Sequence, residues 1–394
     1  MEHQKIVIVS LFYYEASDNI RISTVYNLLK EKKASIELIT TDFNHRTKRK
    51  HDQNIHPGEV TFLKVPRYKK NLSLGRIYSH LVFAFRLKSY LKKLSYTPSK
   101  IYCIVPTASS GLACANYCRK NKIPMAIDVI DLWPESLIIL SRWRKILQFF
   151  TYPMYWMARK VYRAADLVYA GSKEYADFAQ KYNNKTRALP VYLGTDVGRY
   201  NDLVSSGSQK ITKPAGQLWI CFGGMLGNSY DIDVILEGYH MLVKKDRVNA
   251  KLIFIGDGQE RDKIVQYKEE NHLNIEVTGF LDYAGFLHYL SFADIAINSF
   301  KEGTRVAYSY KFNDYITARI PIVNNVQGEM TELIEKYNLG RNFAHSADSL
   351  YAVLHELTNN PDLLSEIKKN ATFVAGEVLD KKTVYQEMIQ QLMH

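Results

Sequence analysis

The chain has 394 residues, 46% hydrophobic and 23% charged, enough to bury large cores and, at this length, to form two domains. Four cysteines (Cys103, Cys114, Cys118 and Cys221) in so long a chain exclude a disulfide framework. Twenty Gly and eleven Pro exclude a fibrous or low-complexity protein. No window approaches the run of about 18 apolar residues that a membrane span needs. The apolar run at 5–10 is too short for a signal peptide and leads into polar residues. The expected compartment is a reducing one, the cytoplasm.

Charge is unevenly placed. Residues 1–196 hold 32 Lys/Arg against 15 Asp/Glu, and residues 197–394 hold 20 against 25. A basic half of this kind suits a polyanionic surface, either nucleic acid or an anionic membrane.

Apolar β-type runs alternate with amphipathic helical segments, the pattern of parallel sheets covered on both faces. In the first half strands are expected at 5–10, 35–41, 60–65, 100–105, 124–130, 167–171 and 187–192. Helices fall between them, for instance at 20–32, 77–94 and 111–121. Residues 46–56 read as a polar loop. The chain turns near Leu193-Gly194-Thr195-Asp196, and the Ser-, Gly- and Lys-rich stretch 203–216 is the linker candidate. A second series follows, with strands at 218–222, 251–255, 275–278, 295–299 and 321–324. Its helices are expected at 231–243, 260–271, 284–291 and 310–318, and the last segments, 347–358, 361–370 and 381–393, read as helical only. Two open α/β domains place a ligand where the carboxyl ends of their strands face a cleft.

Several strand ends carry residues with chemistry. Gly223-Gly224-Met225-Leu226-Gly227-Asn228-Ser229 follows the first strand of the second series, and its glycines serve either a tight turn or a phosphate cradle. Its spacing is not that of a dinucleotide fingerprint. Gly256-Asp257-Gly258 ends the next strand, as a structural turn or beside a nucleotide. Asp231-Ile232-Asp233 has the look of a metal-binding pair but opens a helix, where capping explains it; no metal is expected. In the stretch 300–325, Glu302-Gly303-Thr304 turns into a helix carrying Lys311 and Asp314. Three residues apart, these lie on one helical face beside free backbone N–H groups, an arrangement suited to a phosphate next to a hydroxylated sugar. Asp128-Val129-Ile130-Asp131-Leu132-Trp133-Pro134-Glu135-Ser136 ends a buried strand with two carboxylates, for sugar hydroxyls, proton transfer or a helix cap. The segments 141–163 and 78–94 mix aromatics with cations. Interfacial membrane helices, single-strand binders and ordinary sheet-covering helices all share that composition.

In this order the motifs resemble the family 4 glycosyltransferases, bacterial retaining enzymes with two Rossmann-like domains (GT-B), over nearly the whole chain. Residues 128–136 are similar to that family's H-D-L-W-P-E-S segment in capsule and O-antigen transferases. Ala170–Glu174 and Leu193–Asp196 are similar to its motifs before the hinge. Phe222-Gly223-Gly224, Ile255–Gly258, Thr278-Gly279-Phe280 and Ala293-Asp294 resemble its successive donor-domain strand ends. Tyr310-Lys311-Phe312-Asn313-Asp314-Tyr315 resembles P-S-K-x-x-E-Y.

The resemblance implies an α/β GT-B fold of two doubly wound domains facing across a cleft. It implies an acceptor and membrane-facing domain at 1–196, a nucleotide-sugar donor domain at 197–378, and a C-terminal helix at 379–394 packing back toward the first. Catalytic positions would be Asp131 and Lys311. Donor-binding positions would be Gly223, Gly224, Leu226, Gly227, Asn228, Ser229, Gly256, Asp257, Gly258, Phe280, Glu302, Gly303, Thr304, Arg305, Tyr310 and Asp314. Glu135, Asp18 and Asn19 would lie on the acceptor side. The implied activity is metal-independent, cofactor-free transfer of a sugar from a nucleotide diphosphate-sugar, UDP by expectation, to a polyprenyl-diphosphate-linked acceptor of a surface polysaccharide, with retention. The basic half would dock on the inner membrane face, with no nucleic-acid partner. The alternatives are an inactive scaffold protein of a polysaccharide assembly complex and a UDP-sugar 2-epimerase.

The chain departs from the family at three places. Ile130 stands where His or Arg is usual. The Arg/Lys pair after the first donor-domain strand is missing, with Met225 in the arginine's neighbourhood. Glu302 and Asp314 do not have the E-x7-E spacing. Lys311, with Arg305, is then left as the main phosphate neutraliser.

Overall fold

The computed structural model describes residues 5–13, 21–45, 47–51, 59–70, 73–134, 144–207, 211–304 and 306–394, with backbone only at 144–147. It forms two compact units, Met1–Leu193 with Tyr385–His394, and Gly194–Val384.

The first unit holds seven parallel strands: β1 (Lys5–Val9), β2 (Ser35–Thr41), β3 (Val60–Leu63), β4 (Lys100–Val105), β5 (Met125–Val129), β6 (Leu167–Ala170) and β7 (Leu189–Pro190). Their order is β3-β2-β1-β4-β5-β6-β7, a doubly wound sheet whose order reverses between β1 and β4. Helices α1 (Arg21–Glu31), α2 (Leu74–Leu91), α3 (Ala108–Asn121), α4 (Arg144–Ala164) and α5 (Lys173–Gln180) connect them. Because both faces are covered, the central strands are continuously buried. Helix α3 packs between α2 and α4, so these three share one face of the sheet.

The second unit repeats the plan. Strands β8 (Leu218–Gly223), β9 (Ala250–Ile255), β10 (Ile275–Val277), β11 (Ile295–Asn298), β12 (Ile322–Asn324) and β13 (Gly340–Asn342) are ordered β10-β9-β8-β11-β12-β13. Its helices are α6 (Val197–Ser206), α7 (Ile232–Asp246), α8 (Arg261–Asn271), α9 (Tyr283–Leu290), α10 (Tyr310–Thr317), α11 (Glu329–Tyr337), α12 (Ala347–Thr358) and α13 (Pro361–Phe373). Helix α14 (Lys381–Met393) begins in this unit, and from Tyr385 onward it belongs to the first. There Tyr385 is fully buried beneath Arg21, whose guanidinium lies 5.5 Å from the ring centre and pairs with fully buried Asp128 at 2.5 Å.

The stretch 203–216 is not the division between the units. Residues 197–206 are helix α6, and Lys213 donates to the Phe292 carbonyl at 2.9 Å and pairs with Asp294, so this segment is tied into the second unit. The division falls earlier, between Leu193 and Gly194.

Candidate active site

A cavity of about 800 Å³ opens in the second unit at the carboxyl ends of its strands, next to the reversal of strand order between β8 and β11. Its wall includes Gly223, Gly224 and Met225 after β8, Gly256 and Asp257 after β9, Phe280 to Tyr283 around the start of α9, and Tyr310, Lys311 and Asp314 of α10.

Two glycine turns meet beneath it. The Gly224 N–H donates to the Ile255 carbonyl at 2.9 Å, and the Leu226 N–H to the Asp257 carbonyl at 2.9 Å. A Cβ on Gly256, whose φ is +152°, would lie 2.0 Å from the Gly224 carbonyl oxygen. The glycine is therefore required by loop-on-loop packing, which leaves backbone rather than side chain at the floor of the cavity.

Helix α10 is positioned from both ends. Ser309 caps it, its hydroxyl accepting from the Phe312 N–H at 3.1 Å. Fully buried Tyr315 accepts from the Gly223 N–H at 2.8 Å and donates to the Ile297 carbonyl at 3.1 Å, tying the helix to the ends of β8 and β11. Every residue from Lys311 to Thr317 is buried, so the lysine enters the interior on the helix's first turn.

Lys311 is the one basic side chain among the described residues lining the cavity. Its ammonium lies 3.6 Å from the ring centre of Tyr230, 3.8 Å from that of Phe222 and 5.4 Å from that of Phe300. Nζ has no hydrogen-bond partner among the described residues. Burial alone pushes its pKa well below the ordinary lysine value. Aromatic rings attract a cation by about 0.5–2 kcal/mol each, less than the several kcal/mol that removal from water costs an ion. The ammonium would lie about 3.7 Å from a Cβ built on Gly224, so an anion seated on that turn meets it directly.

The three wall carboxylates are already engaged. Asp257 pairs with Arg261 at 3.3 Å, Asp282 accepts from the Gly285 N–H at 2.8 Å, and Asp314 accepts from the Tyr283 hydroxyl at 2.8 Å. Burial, and then the Asp314 charge, raises the Tyr283 pKa strongly, so the phenol stays a donor. Lys311 and Asp314 share the cavity, but the lysine turns to the aromatic cage and the aspartate to Tyr283.

Other expected donor residues lie elsewhere. Leu226 is fully buried in the core and cannot touch a ligand with its side chain. Gly227, Asn228, Ser229, Gly258, Glu302, Gly303 and Thr304 are off the described wall. The Ser229 carbonyl instead accepts from the Lys301 N–H at 2.9 Å, fastening one loop to the other. Gly223, Gly224, Gly256, Asp257, Phe280 and Tyr310 are on the wall, and Phe280 is 86% exposed there. Arg305 lies outside the described residues, as do Glu135, Asp18 and Asn19. Asp231 occupies the cap position of α7 without a side-chain cap bond, and Asp233 pairs with Lys263. Among the described residues no group of three or more His, Cys, Asp or Glu is placed to hold a metal.

In the first unit Asp131 follows β5, and its Oδ2 accepts from Trp133 Nε1 at 2.8 Å. The Arg76 guanidinium stacks 4.3 Å from the Trp133 ring centre, so one indole touches both the carboxylate and the cation.

Residues 206–373 match the sequence model of the family described as glycosyl transferases group 1. No curated protein sequence matches the chain. Among solved structures, Anabaena Alr3699/HepE in complex with UDP is 15% identical, covers 99% of each chain and has a TM-score of 0.69. Sucrose-phosphate synthase from Thermosynechococcus elongatus is 13% identical over 98% of each chain, with a TM-score of 0.73. WaaG, a glycosyltransferase involved in lipopolysaccharide biosynthesis, is 14% identical over 98% of this chain and 99% of its own, with a TM-score of 0.67. Most of the second unit thus matches the group 1 glycosyl transferase model, and the chain as a whole has the two-Rossmann GT-B fold.

Proposed function

We propose that the protein transfers a sugar, with retention and without a metal, from a UDP-sugar to a polyprenyl-diphosphate-linked acceptor in surface-polysaccharide synthesis. The observation that carries this reading is the buried Lys311 ammonium facing the Gly224 turn inside a group 1 transferase domain. The donor diphosphate sits on the turn with Lys311 as its cation, and Asp314 takes the ribose hydroxyls. Phe280 and the Gly256-Asp257 turn flank the base. HepE crystallised with UDP and with UDP-glucose favours uridine among the nucleotides. Lys311 then stabilises the leaving diphosphate, and Asp131 serves as the catalytic carboxylate of the first unit. Incubation with UDP-, GDP- and dTDP-sugars is expected to release UDP slowly and selectively. Release of no nucleotide from any of the three would favour the scaffold reading.

Membrane contact on the acceptor side is supported by two helices of the first unit. Along α2, Leu74 (84% exposed), Ile77, Tyr78, Leu81 and Phe85 (74% exposed) form one outward stripe that continues into exposed Lys88 and Lys92. Along α4, Phe149, Phe150, Tyr152 and Trp156 are exposed ahead of Arg159, Lys160 and Arg163. Both helices run back from the carboxyl edge of the sheet, so both apolar halves lie toward the edge that carries Asp131. An apolar stripe flanked by cations suits the interface of an anionic bilayer. No helix among the described residues is long and apolar enough to cross a membrane. In vesicle flotation the protein is expected to bind anionic vesicles, more weakly as salt rises, and the double variant Leu81→Ser/Phe85→Ser is expected to lose most of that binding. Flotation indifferent to anionic lipid, to salt and to the double variant would rule the surface out.

A further inference from the structure

The carboxyl edge of the first unit's sheet gathers cations and aromatic rings from separate chain segments. Phe12 follows β1, His45 and Lys48 follow β2, Tyr68 follows β3, Arg76 and His80 lie on the first turns of α2, and Trp133 follows β5. They touch one another. The Arg76 guanidinium stacks on Trp133 and lies 5.8 Å from the Phe12 ring centre. Lys48 Nζ lies 4.9 Å from the Tyr68 ring centre and 3.4 Å from His45 Nδ1, and that nitrogen is 2.5 Å from the Tyr68 hydroxyl. The His80 ring is packed about 6 Å from those of Phe12 and Trp133.

Two features set this cluster apart from a structural one. His80 is only 6% exposed, yet its Nε2 has no hydrogen-bond partner among the described residues. A buried polar atom costs about 1–3 kcal/mol when left unpaired. The Arg76 charge also presses on its neighbours. Burial first, and then the Arg76 charge, holds Lys48 below its usual pKa, and burial with Arg76 and His45 holds His80 down to about 3. A phosphate oxygen among them reverses that repulsion and supplies acceptors to guanidinium and ammonium together.

We propose that Arg76, Lys48 and His80 form a second phosphate site, distinct from the Lys311 cavity, and that it takes the diphosphate of the lipid-linked acceptor. The lipid assignment rests on the acceptor reading above, whereas the phosphate chemistry stands without it. Trp133 gives the site a use in the reaction. By stacking on Arg76 and donating to Asp131, the indole fixes the carboxylate relative to the bound diphosphate, and so relative to the sugar that the diphosphate carries. The same helix that supplies Arg76 and His80 inward presents Leu74, Ile77 and Tyr78 outward, which places the phosphate site at the root of the apolar stripe.

Calorimetric titration of the full chain with inorganic pyrophosphate, in the presence of saturating UDP, tests the site. Binding is expected to survive UDP, to weaken about tenfold or more in Arg76→Gln and in Lys48→Gln, to be kept by Arg76→Lys and to be unchanged in Lys120→Gln. Pyrophosphate binding of wild-type strength in both glutamine variants would overturn the proposal. If UDP itself fails to bind, the donor reading fails alone, because the Arg76 dependence is still read. Flotation separates the sources of phosphate. Phosphatidylcholine vesicles carrying a polyprenyl diphosphate are expected to recruit the wild type above plain phosphatidylcholine, and Arg76→Gln much less. Recruitment equal on both vesicles, with Arg76-dependent pyrophosphate binding intact, would overturn the lipid assignment.

Discussion

Replacing Lys311 by methionine is expected to leave the fold at least as stable while removing donor binding, a pair of effects that a merely structural lysine would not give. The folded-state pKa of Lys311 lies well below its unfolded value. Above that unfolded value, about 10.4, both states are neutral and the lysine costs nothing. As pH falls from there toward the folded pKa, the unfolded chain takes up a proton that the folded chain refuses. Stability then drops by about 1.4 kcal/mol per pH unit and levels off below the folded pKa. The Lys311→Met variant lacks this loss, so its advantage in urea unfolding should grow as pH is lowered through that window. Binding should move the other way. Losing a charge-assisted contact worth about 1.5–3 kcal/mol weakens UDP affinity by roughly 10–100-fold. Wild-type binding should also draw a proton from the buffer, seen as a binding heat that varies with the buffer's ionisation enthalpy. A variant that binds UDP like the wild type would remove Lys311 from the site.

The second large effect is expected at Gly256. An alanine methyl would lie 2.0 Å from the Gly224 carbonyl oxygen, and the two backbone hydrogen bonds between the glycine turns keep either from retreating. Overpacking costs about 1–3 kcal/mol, and a non-glycine residue at φ +152° costs about 1–3 more. Together these consume a large part of a domain's stability of about 5–15 kcal/mol. Gly256→Ala should melt many degrees lower and bind UDP poorly, because the same displacement opens the cavity floor. Gly376→Ala, where a Cβ meets nothing within 4 Å, is the neutral control. Equal melting temperatures for the two variants would show that the turns are not laced as described.

What the sequence made legible follows from burial. Strands at 35–41 and 100–105 coincide with β2 and β4 because a parallel strand covered on both faces reads as one apolar run with no competing helical period. The strand Gly340–Asn342 carries no such run and is not expected from the sequence, nor are α6 and α11. In the site, Lys311 and Asp314 were legible because three-residue spacing on a helix is a local property. The cage around Lys311 was not, since Phe222, Tyr230 and Phe300 come from three separate segments and look like core aromatics. The inward turn of the Leu226 side chain is hidden for the opposite reason. It sits inside a glycine-rich turn, and turn composition does not say which side chain goes inward. The Arg76 cluster is hidden in the same way, because its members come from five separate segments.

The last helix sets an order of events on the ribosome. Tyr385 lies under Arg21, and the Tyr169 hydroxyl and the Lys100 ammonium both reach Gln391, so the first unit's sheet is completed by residues made long after its own strands. Some 190 residues separate Leu193 from Tyr385, a delay of roughly 10–40 s at elongation speeds of about 5–20 residues per second. Through that interval the Arg21–Asp128 pair waits without its cover. The second unit can close as it emerges, and the unit that is synthesised first is the one that finishes last.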